Sequence, residues 1–479
     1  MGFTNLDYAI LGLYLLATAT FGALVGRGQR DTRDYFLGGR HMSWWSISLS
    51  IVATETSTLT FIGAPAIAYG GDLTFLQVAV GYLIGKVLVS FVLIPGYFRG
   101  EFQTAYELLH TRFGPRVRGL SAMIFQVTRA LADGVRLSAT ALVLSVVTQI
   151  SDIWTIAIVG AVTVVYTFFG GMAGVVWNDV IQLIVYVGGA VTAFVVLVDK
   201  IPGGWNEIHA VAGAAGKFQI VNPSWSLVEP YTLLGGLIGG AFLTFATHGT
   251  DQMMVQRYLA CGDKRRSQTA LILSGVLVIA QFWLFLVIGV MLYVFYQHFP
   301  LREELGQVNR ILPLFIVEEM PPGVSGLIIA AIFAAAMSTL SSSLNALSSS
   351  FINDFYRPRI RPGATEAHYL SAARFLTLIW GAVLVVVSLF ARNWGEVLQV
   401  GLTITSVTMG SVLGIFLLGI LSRKTGETAG LIGMATGMAV MLVLTGTGAV
   451  AWTWYVLAGT SVTVAVGFGV QSLTGRRRP

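Results

Sequence analysis

The chain has 479 residues and a formal net charge of +6; 55% of it is hydrophobic and only 11% charged, with a mean hydropathy of +0.75. Soluble globular proteins carry about 25% charged residues, so this chain lacks the ions to coat a water-facing surface. Its basic residues are spread between apolar runs rather than clustered on a soluble domain, which excludes a nucleic-acid binder. The single cysteine, Cys261, excludes an internal disulfide, and the six histidines lack metal-ligand spacing.

Apolar runs long enough to cross a bilayer recur along the chain. They predict spans near 5–26, 43–70, 73–98, 119–149, 152–170, 175–199, 230–258, 268–297, 323–351, 369–391, 395–421, 427–446 and 449–472. The expected fold class is therefore an all-α polytopic membrane protein with thirteen transmembrane helices, in contact with the lipid bilayer. The ten-residue alternation of a β-barrel is absent. The first apolar run ends in Arg27 and Arg30, the reverse of a secretory signal, so it reads as an uncleaved helix with its N-terminus outside.

Loop charge agrees with that orientation. The inner loops and tail then hold Arg27, Arg30, Arg33, Arg40, Arg99, Arg112, Arg116, Arg118, Arg257, Lys264, Arg265 and Arg266. Arg357, Arg359, Arg361, Arg423, Lys424, Arg476, Arg477 and Arg478 bring them to twenty. The outer loops hold five, Lys200, Lys217, Arg302, Arg310 and Arg392, and four more (Lys86, Arg129, Arg136, Arg374) lie within spans. This positive-inside bias puts the C-terminus in the cytoplasm of a plasma (inner) membrane. The longest loops, roughly 200–229 and 298–322, are too short for a catalytic domain. No nucleophile–base pair stands within the spans. An enzyme is not expected.

Several segments are too polar for lipid. In the second span SIVATETSTLTFIGAP (50–65), seven of the first eleven residues are polar, including Glu55. The threonines and Pro65 predict a locally unwound helix whose freed carbonyls need a partner such as a cation. In AAAMSTLSSSLNALSSS (334–350), Ala335, Ser338, Thr339 and Ser342 share one helical face, flanked by Ser341 and Asn345. Hydroxyl and carbonyl oxygens are hard ligands that suit Na⁺, although small residues also serve close helix packing. Oxygen ligands alone leave a proton open in its place.

In the fourth span Arg129, Asp133 and Arg136 line one face, and Asp133 can pair with both arginines. The surplus guanidinium at Arg136 can take a carboxylate, or the three form a self-contained ion ladder. Asp179 is either a helix cap or a cation ligand. His248 and Asp251 are ambiguous in the same way, and a lone intramembrane histidine reads first as hydrogen-bonded structure.

YTFFGGMAGVVWNDVIQ (166–182), TDQMMVQRYLA (250–260) and AAAMSTLSSSLN resemble, in order along nearly the whole chain, the sodium:solute symporter family, in a bacterial-type member. The resemblance implies a leucine-transporter-like fold: one leading helix, then two inverted five-helix repeats whose first helices are broken at the bilayer midplane. It divides the chain into 1–40 (leading helix and cytoplasmic loop), 41–199 (first repeat), 200–229 (external loop), 230–421 (second repeat) and 422–479 (two helices and basic tail).

By the same resemblance, a first Na⁺ meets the carbonyls of Ala53, Thr56 and Ala335 and the hydroxyls of Ser338 and Thr339. A second Na⁺ site of some members maps to Asp179, Ser338, Ser341 and Ser342. The solute pocket maps to Glu55, Ser57, Thr60, Thr74, Gln77, Arg136, Thr244 and Gln281. Arg136 resembles the arginine with which sialic-acid-type members hold a carboxylate. The implied function is Na⁺-coupled symport of a small, carboxylate-bearing solute, an organic acid, sialic acid or amino acid, by alternating access in a monomer. Glu55 either recognises an amine or neutralises Arg136. A sugar symporter is the nearest alternative, weakened because 271–290 lacks the lysine of sugar-transporting members. A channel or a membrane sensor is the alternative from another class.

Overall fold

The structure is a computed structural model that describes residues 3–26, 28–301, 308–392 and 397–475. Arg27, Arg302 and Arg476 to Arg478, counted in the loop charge above, lie outside the described residues, as does the start of the run at 395. The described residues form helices and no strand. In chain order these are α1 (Asn5–Val25), α2 (Thr32–Leu37), α3 (Trp44–Glu55), α4 (Thr58–Gly70), and α5 (Phe75–Leu88) running through a π turn into α6 (Ile94–Tyr97). Next come α7 (Ala105–Arg112), α8 (Pro115–Thr148), α9 (Asp152–Lys200), α10 (Gly204–Ala214), α11 (Gly240–Gly249), α12 (Gln252–Ala260) and α13 (Lys264–His298). The chain ends with α14 (Ile311–Glu319), α15 (Val324–Ser350), α16 (Glu366–Ala391), α17 (Val397–Leu421), α18 (Glu427–Thr447) and α19 (Tyr455–Gly475).

Among the described residues, eight helices are long and apolar enough to span a membrane, and the bent pair α3–α4 makes a ninth. The molecule is inverted relative to a soluble protein. Leu13, Leu16, Phe91, Ile184, Phe375 and Phe390 stand exposed, while Ser50, Thr54, Asp179, Ser338, Ser341 and Ser342 are buried. That distribution suits an apolar solvent, in which polar groups turn inward to find partners.

α15 runs through the centre, packed along α9 and touching α3, α4, α8 and α12. α1 crosses α9 where Gly26 meets Gly170; a Cβ on Gly26 would stand 2.2 Å from the Gly170 Cα, the close approach that small residues permit between membrane helices. α9 joins two expected spans through a kink at Gly171, whose backbone is left-handed at φ 53°. A side chain there would also strike the Tyr35 carbonyl, 2.6 Å from the Cβ position.

The break in the second span stands at Thr56 and Ser57, and the two halves meet at 63°. Pro65 is not its cause. It lies inside α4, which runs on to Gly70, and its carbonyl packs so close to Gly289 that a Cβ there would sit 2.1 Å away. The extended backbone at Thr56 (ψ 91°) and Ser57 (ψ 168°) ends α3 instead. A second interruption, at Thr250 and Asp251, separates α11 from α12, with the Asp251 carboxylate capping α12 through the Met253 amide at 2.9 Å. The segments expected as plain external loops also carry helices, α10 and α14.

Candidate ion and solute site

A helix that stops at Glu55 releases the carbonyls of its last turn, Ala53 among them, from the backbone ladder. The released face looks onto α15. Thr339 donates its hydroxyl to the Thr54 carbonyl at 3.2 Å and to the Ala335 carbonyl at 3.4 Å. Thr58, just past the break, donates to the Ile332 carbonyl at 3.1 Å. Ala53, Thr56, Ala335, Ser338 and Thr339 thus lie on the two segments that meet here, all of them buried. The donor set is hydroxyls and carbonyls, uncharged oxygens of the kind that bind a monovalent cation and release it again.

Beside this junction stands Asp179, fully buried. Its Oδ1 accepts from Ser338 at 2.7 Å, and its Oδ2 accepts from Ser50 at 2.5 Å and Thr54 at 3.3 Å. Oδ2 also meets the Arg257 guanidinium at 2.9 Å. Arg257 belongs to the buried interior and not to an inner loop: it is 1% exposed. Its Nε donates to Ser50 at 2.9 Å, and Nη2 donates to Thr54 at 2.6 Å and to Ser342. Ser341 and Ser342 turn their protons to the Ser338 carbonyl, at 3.1 and 2.8 Å. The residues of the second expected Na⁺ site are therefore together, with a guanidinium already among them. Sequence reasoning missed it because Arg257 adjoins the exposed run Lys264–Arg266 and looks like one more inner-loop charge.

Glu55 pairs with neither an open amine site nor Arg136. Its Oε2 accepts from Lys86 of α5 at 2.6 Å, and the Lys86 side chain is fully buried. Arg136 is paired instead with Asp133, at 2.8 Å. Asp133 also lies 3.5 Å from Arg129 and accepts from Ser343 of α15. Arg129 in turn meets Asp251, the cap of α12. Arg136 remains 31% exposed at its side chain and borders a narrow cavity with Ser57, Asp133, Thr339, Leu137 and Leu340. That cavity offers about 20 Å³ for water centres, room for about one water. An organic solute needs it wider.

The other expected pocket residues divide. Ser57 and Thr60 stand 3.5 Å apart at the start of α4. Gln281 donates to the Thr56 hydroxyl at 2.6 Å, tying α13 to the break. Thr74 and Gln77 face elsewhere. Thr74 donates to Asp72 at 2.6 Å, while Gln77 donates to the Tyr231 carbonyl at 3.1 Å and accepts from the Asn222 amide at 3.2 Å. Gln77 thereby fastens the start of α5 to Asn222 and Tyr231. Thr244 is buried where α11 packs on Gly85 of α5.

The chain resembles known transporters over most of its own length. The chain is 32% identical to the sodium/sialic acid symporter NanT of Aliivibrio fischeri, over 97% of this chain and 93% of that protein. It is 31% identical to the human sodium/iodide cotransporter, over 91% of this chain and 69% of that one. The solved structure of a Na⁺-coupled sialic acid symporter, substrate-bound and outward-open, superposes with a TM-score of 0.90 at 30% identity, covering 98% of both chains. Residues 35–437 match the family description, and the chain belongs to the sodium:solute symporter family.

Proposed function

We propose that this symporter uses Na⁺ to drive uptake of a small carboxylate-bearing solute, of the sialic acid or simpler organic acid class, by alternating access. The observation that carries this reading is the meeting of the broken α3–α4 pair with the hydroxyl face of α15, beside the half-buried guanidinium of Arg136. Na⁺ joins Ala53, Thr56, Ala335, Ser338 and Thr339 and holds the two segments together. That fixes the wall of the Arg136 cavity, which receives the carboxylate. Loss of Na⁺ to the inside loosens the junction and frees the solute. With Lys86 already on Glu55, an amino acid's ammonium would have to displace a buried cation, which favours an acid without an amine.

Charge balance supports the pairing of cation and acid. Around the two breaks, Glu55, Asp133, Asp179 and Asp251 face Lys86, Arg129, Arg136 and Arg257. Four negative groups offset four positive ones, so one Na⁺ with one carboxylate keeps the interior neutral. A second Na⁺ at Asp179, Ser338, Ser341 and Ser342 would share Asp179 with Arg257.

The reading includes the thirteen-span topology, with inverted repeats at 41–199 and 230–421. The 200–229 segment lies outside, and the 1–40 and 422–479 segments flank the repeats. The N-terminus is external, the C-terminus cytoplasmic, and the working unit is a lipid-embedded monomer of the inner membrane. The two helix breaks, one near the start of each repeat, and the loop-charge bias support it. A thermal-shift screen of the purified protein against organic acids, sialic acids, amino acids and sugars, with and without Na⁺, tests the function. The expected result is stabilisation by an acid only when Na⁺ is present; stabilisation by a sugar, or indifference to Na⁺, would overturn it.

A further inference from the structure

α16 carries a single arginine, Arg374, in its third turn. Nη2 of Arg374 donates to the side-chain carbonyl of Gln29 at 3.1 Å, and the guanidinium lies 6.0 Å from the centre of the Tyr35 ring. Its Nε is buried and has no hydrogen-bond partner. Among the described residues Arg374 also has no ion-pair partner: Glu366, on the same helix, pairs with Arg357 at 2.8 Å. The acids of the α2 region are taken as well. Asp34 accepts from the Arg30 amide at 3.0 Å, and Asp31 caps α2 through the Asp34 amide at 2.8 Å. An unpaired guanidinium within a membrane span is costly, and a buried N–H without an acceptor adds to the cost.

The same guanidinium borders a cleft of about 320 Å³, lined by Ala23, Gly26, Gly28, Phe169 and Arg374. The cleft lies where α1 ends, α9 kinks and α16 begins, so it sits at one end of the bundle. Gln29 holds these elements together, since its amide donates to the Phe169 and Gly170 carbonyls at 3.3 and 2.9 Å. That amide is thereby used up. The small residues leave the space, and Phe169, 52% exposed, forms an apolar rim. Apart from Arg374, no lining residue carries a charge.

We propose that this cleft seats the headgroup of an anionic phospholipid, with Arg374 holding its phosphate. A phosphodiester presents paired oxygens to the forked N–H donors of a guanidinium, the Nε–H included. Basic pockets between membrane helices near the bilayer surface are suited to anionic headgroups for this reason. The volume falls at the lower end of ligand pockets, about 300–1,000 Å³. The chemistry of the walls selects the lipid over other phosphates. Phe169 lies against the glycerol and upper acyl chain, while Leu24 and Phe375, 48% and 62% exposed, continue the apolar surface on either side. A soluble phosphate ester leaves that rim in contact with nothing of its own kind. A zwitterionic lipid brings a second cation to a place that already has one unpaired. The bound phosphate touches α16 through Arg374 and its glycerol touches α1 and α9, so the lipid joins the leading helix to the bundle. The inference depends on the chain lying in a bilayer and not on the Na⁺ or solute assignments.

Native mass spectrometry of the full-length protein, purified and delipidated in detergent, tests this. Phosphatidylglycerol, phosphatidylcholine and glycerol phosphate are titrated separately, and the first bound molecule of each is quantified. The expected result is a preference of about fivefold for phosphatidylglycerol over phosphatidylcholine, the weight of one basic residue at an anionic surface, with glycerol phosphate weaker than either lipid. R374Q should bring the two lipids level. A23F, which fills the cleft and leaves the charge in place, should weaken phosphatidylglycerol binding too. R265Q, which removes an exposed charge at the start of α13, should keep the full preference. A parent protein that binds both lipids equally overturns the proposal, as does an R374Q protein that retains the preference. If R265Q loses the preference as R374Q does, surface charge in general is responsible and the site falls. Glycerol phosphate binding as tightly as the lipid would make this a site for a soluble phosphate ester and overturn the lipid assignment. Should R374Q not fold, A23F decides: an undiminished affinity for phosphatidylglycerol overturns the proposal.

Discussion

Ser338 and Thr339 direct their hydroxyl protons to Asp179 Oδ1 and to the Thr54 and Ala335 carbonyls. A hydroxyl whose proton is so held keeps its lone pairs for a cation. Replacing either residue by alanine removes one oxygen of the set, and a loss of about 1.4 kcal/mol is about tenfold in affinity. Uptake by Ser338→Ala and by Thr339→Ala should each need about tenfold more Na⁺ for half-maximal rate, with protein abundance in the membrane little changed. An unaltered Na⁺ response in both would remove these residues from the site. Cys261 gives an independent check at this scale. It is 2% exposed, and burial pushes its thiol up to about 12. Because the thiolate is the reactive form, a maleimide should label the folded protein slowly near neutral pH and the denatured protein fast. Rapid labelling of the native state would show that the 260–263 turn opens. At this scale the polarity of 50–60 and 338–342 could be read from the chain, whereas the partner of Glu55 could not. Lys86 is thirty-one positions away and on another helix, so no local spacing links them.

Between elements, the Asp179–Arg257 pair fastens α9 to α12, and its hydroxyl partners extend the contact to α3 and α15. A pair this deep is worth little in itself relative to apolar neighbours, but breaking it strands a charge. Asp179→Asn should therefore cost about 3–5 kcal/mol, read as a lower midpoint in thermal unfolding. Adding Arg257→Gln to Asp179→Asn should restore most of that loss, since the stranded guanidinium goes with it. A double variant as unstable as the two single losses combined would mean that the groups act independently. The helix ends teach a related lesson. Pro65 looked like the breaker of the second span, yet the chain bends at Thr56 and Ser57. A proline's missing bond is tolerated within a packed membrane helix, and here its carbonyl lies directly against Gly289 of α13.

For the whole molecule, the α3–α4 break meets the continuous helix α15, and the ligands of a symporter ought to bind cooperatively. Ligands that favour one arrangement raise each other's affinity equally, so saturating Na⁺ should raise solute affinity by about 5–150-fold, and saturating solute should raise Na⁺ affinity by the same factor. Calorimetric titrations in both orders measure the factor twice; a factor of one would show that the ligands do not select one common state. The sequence alone determined that the chain is a helical membrane protein, and it located the two wet segments that form the junction. Those properties follow from composition and from the period of a single helix, which neighbours along the chain supply. The tertiary structure decided which charges are partners. It put Arg257 in the interior rather than a loop, placed Lys86 on Glu55, and left Arg136 bordering a narrow cavity. In a dry interior each charge must find its opposite wherever helix packing brings one within reach, and that distance is set by how the helices cross.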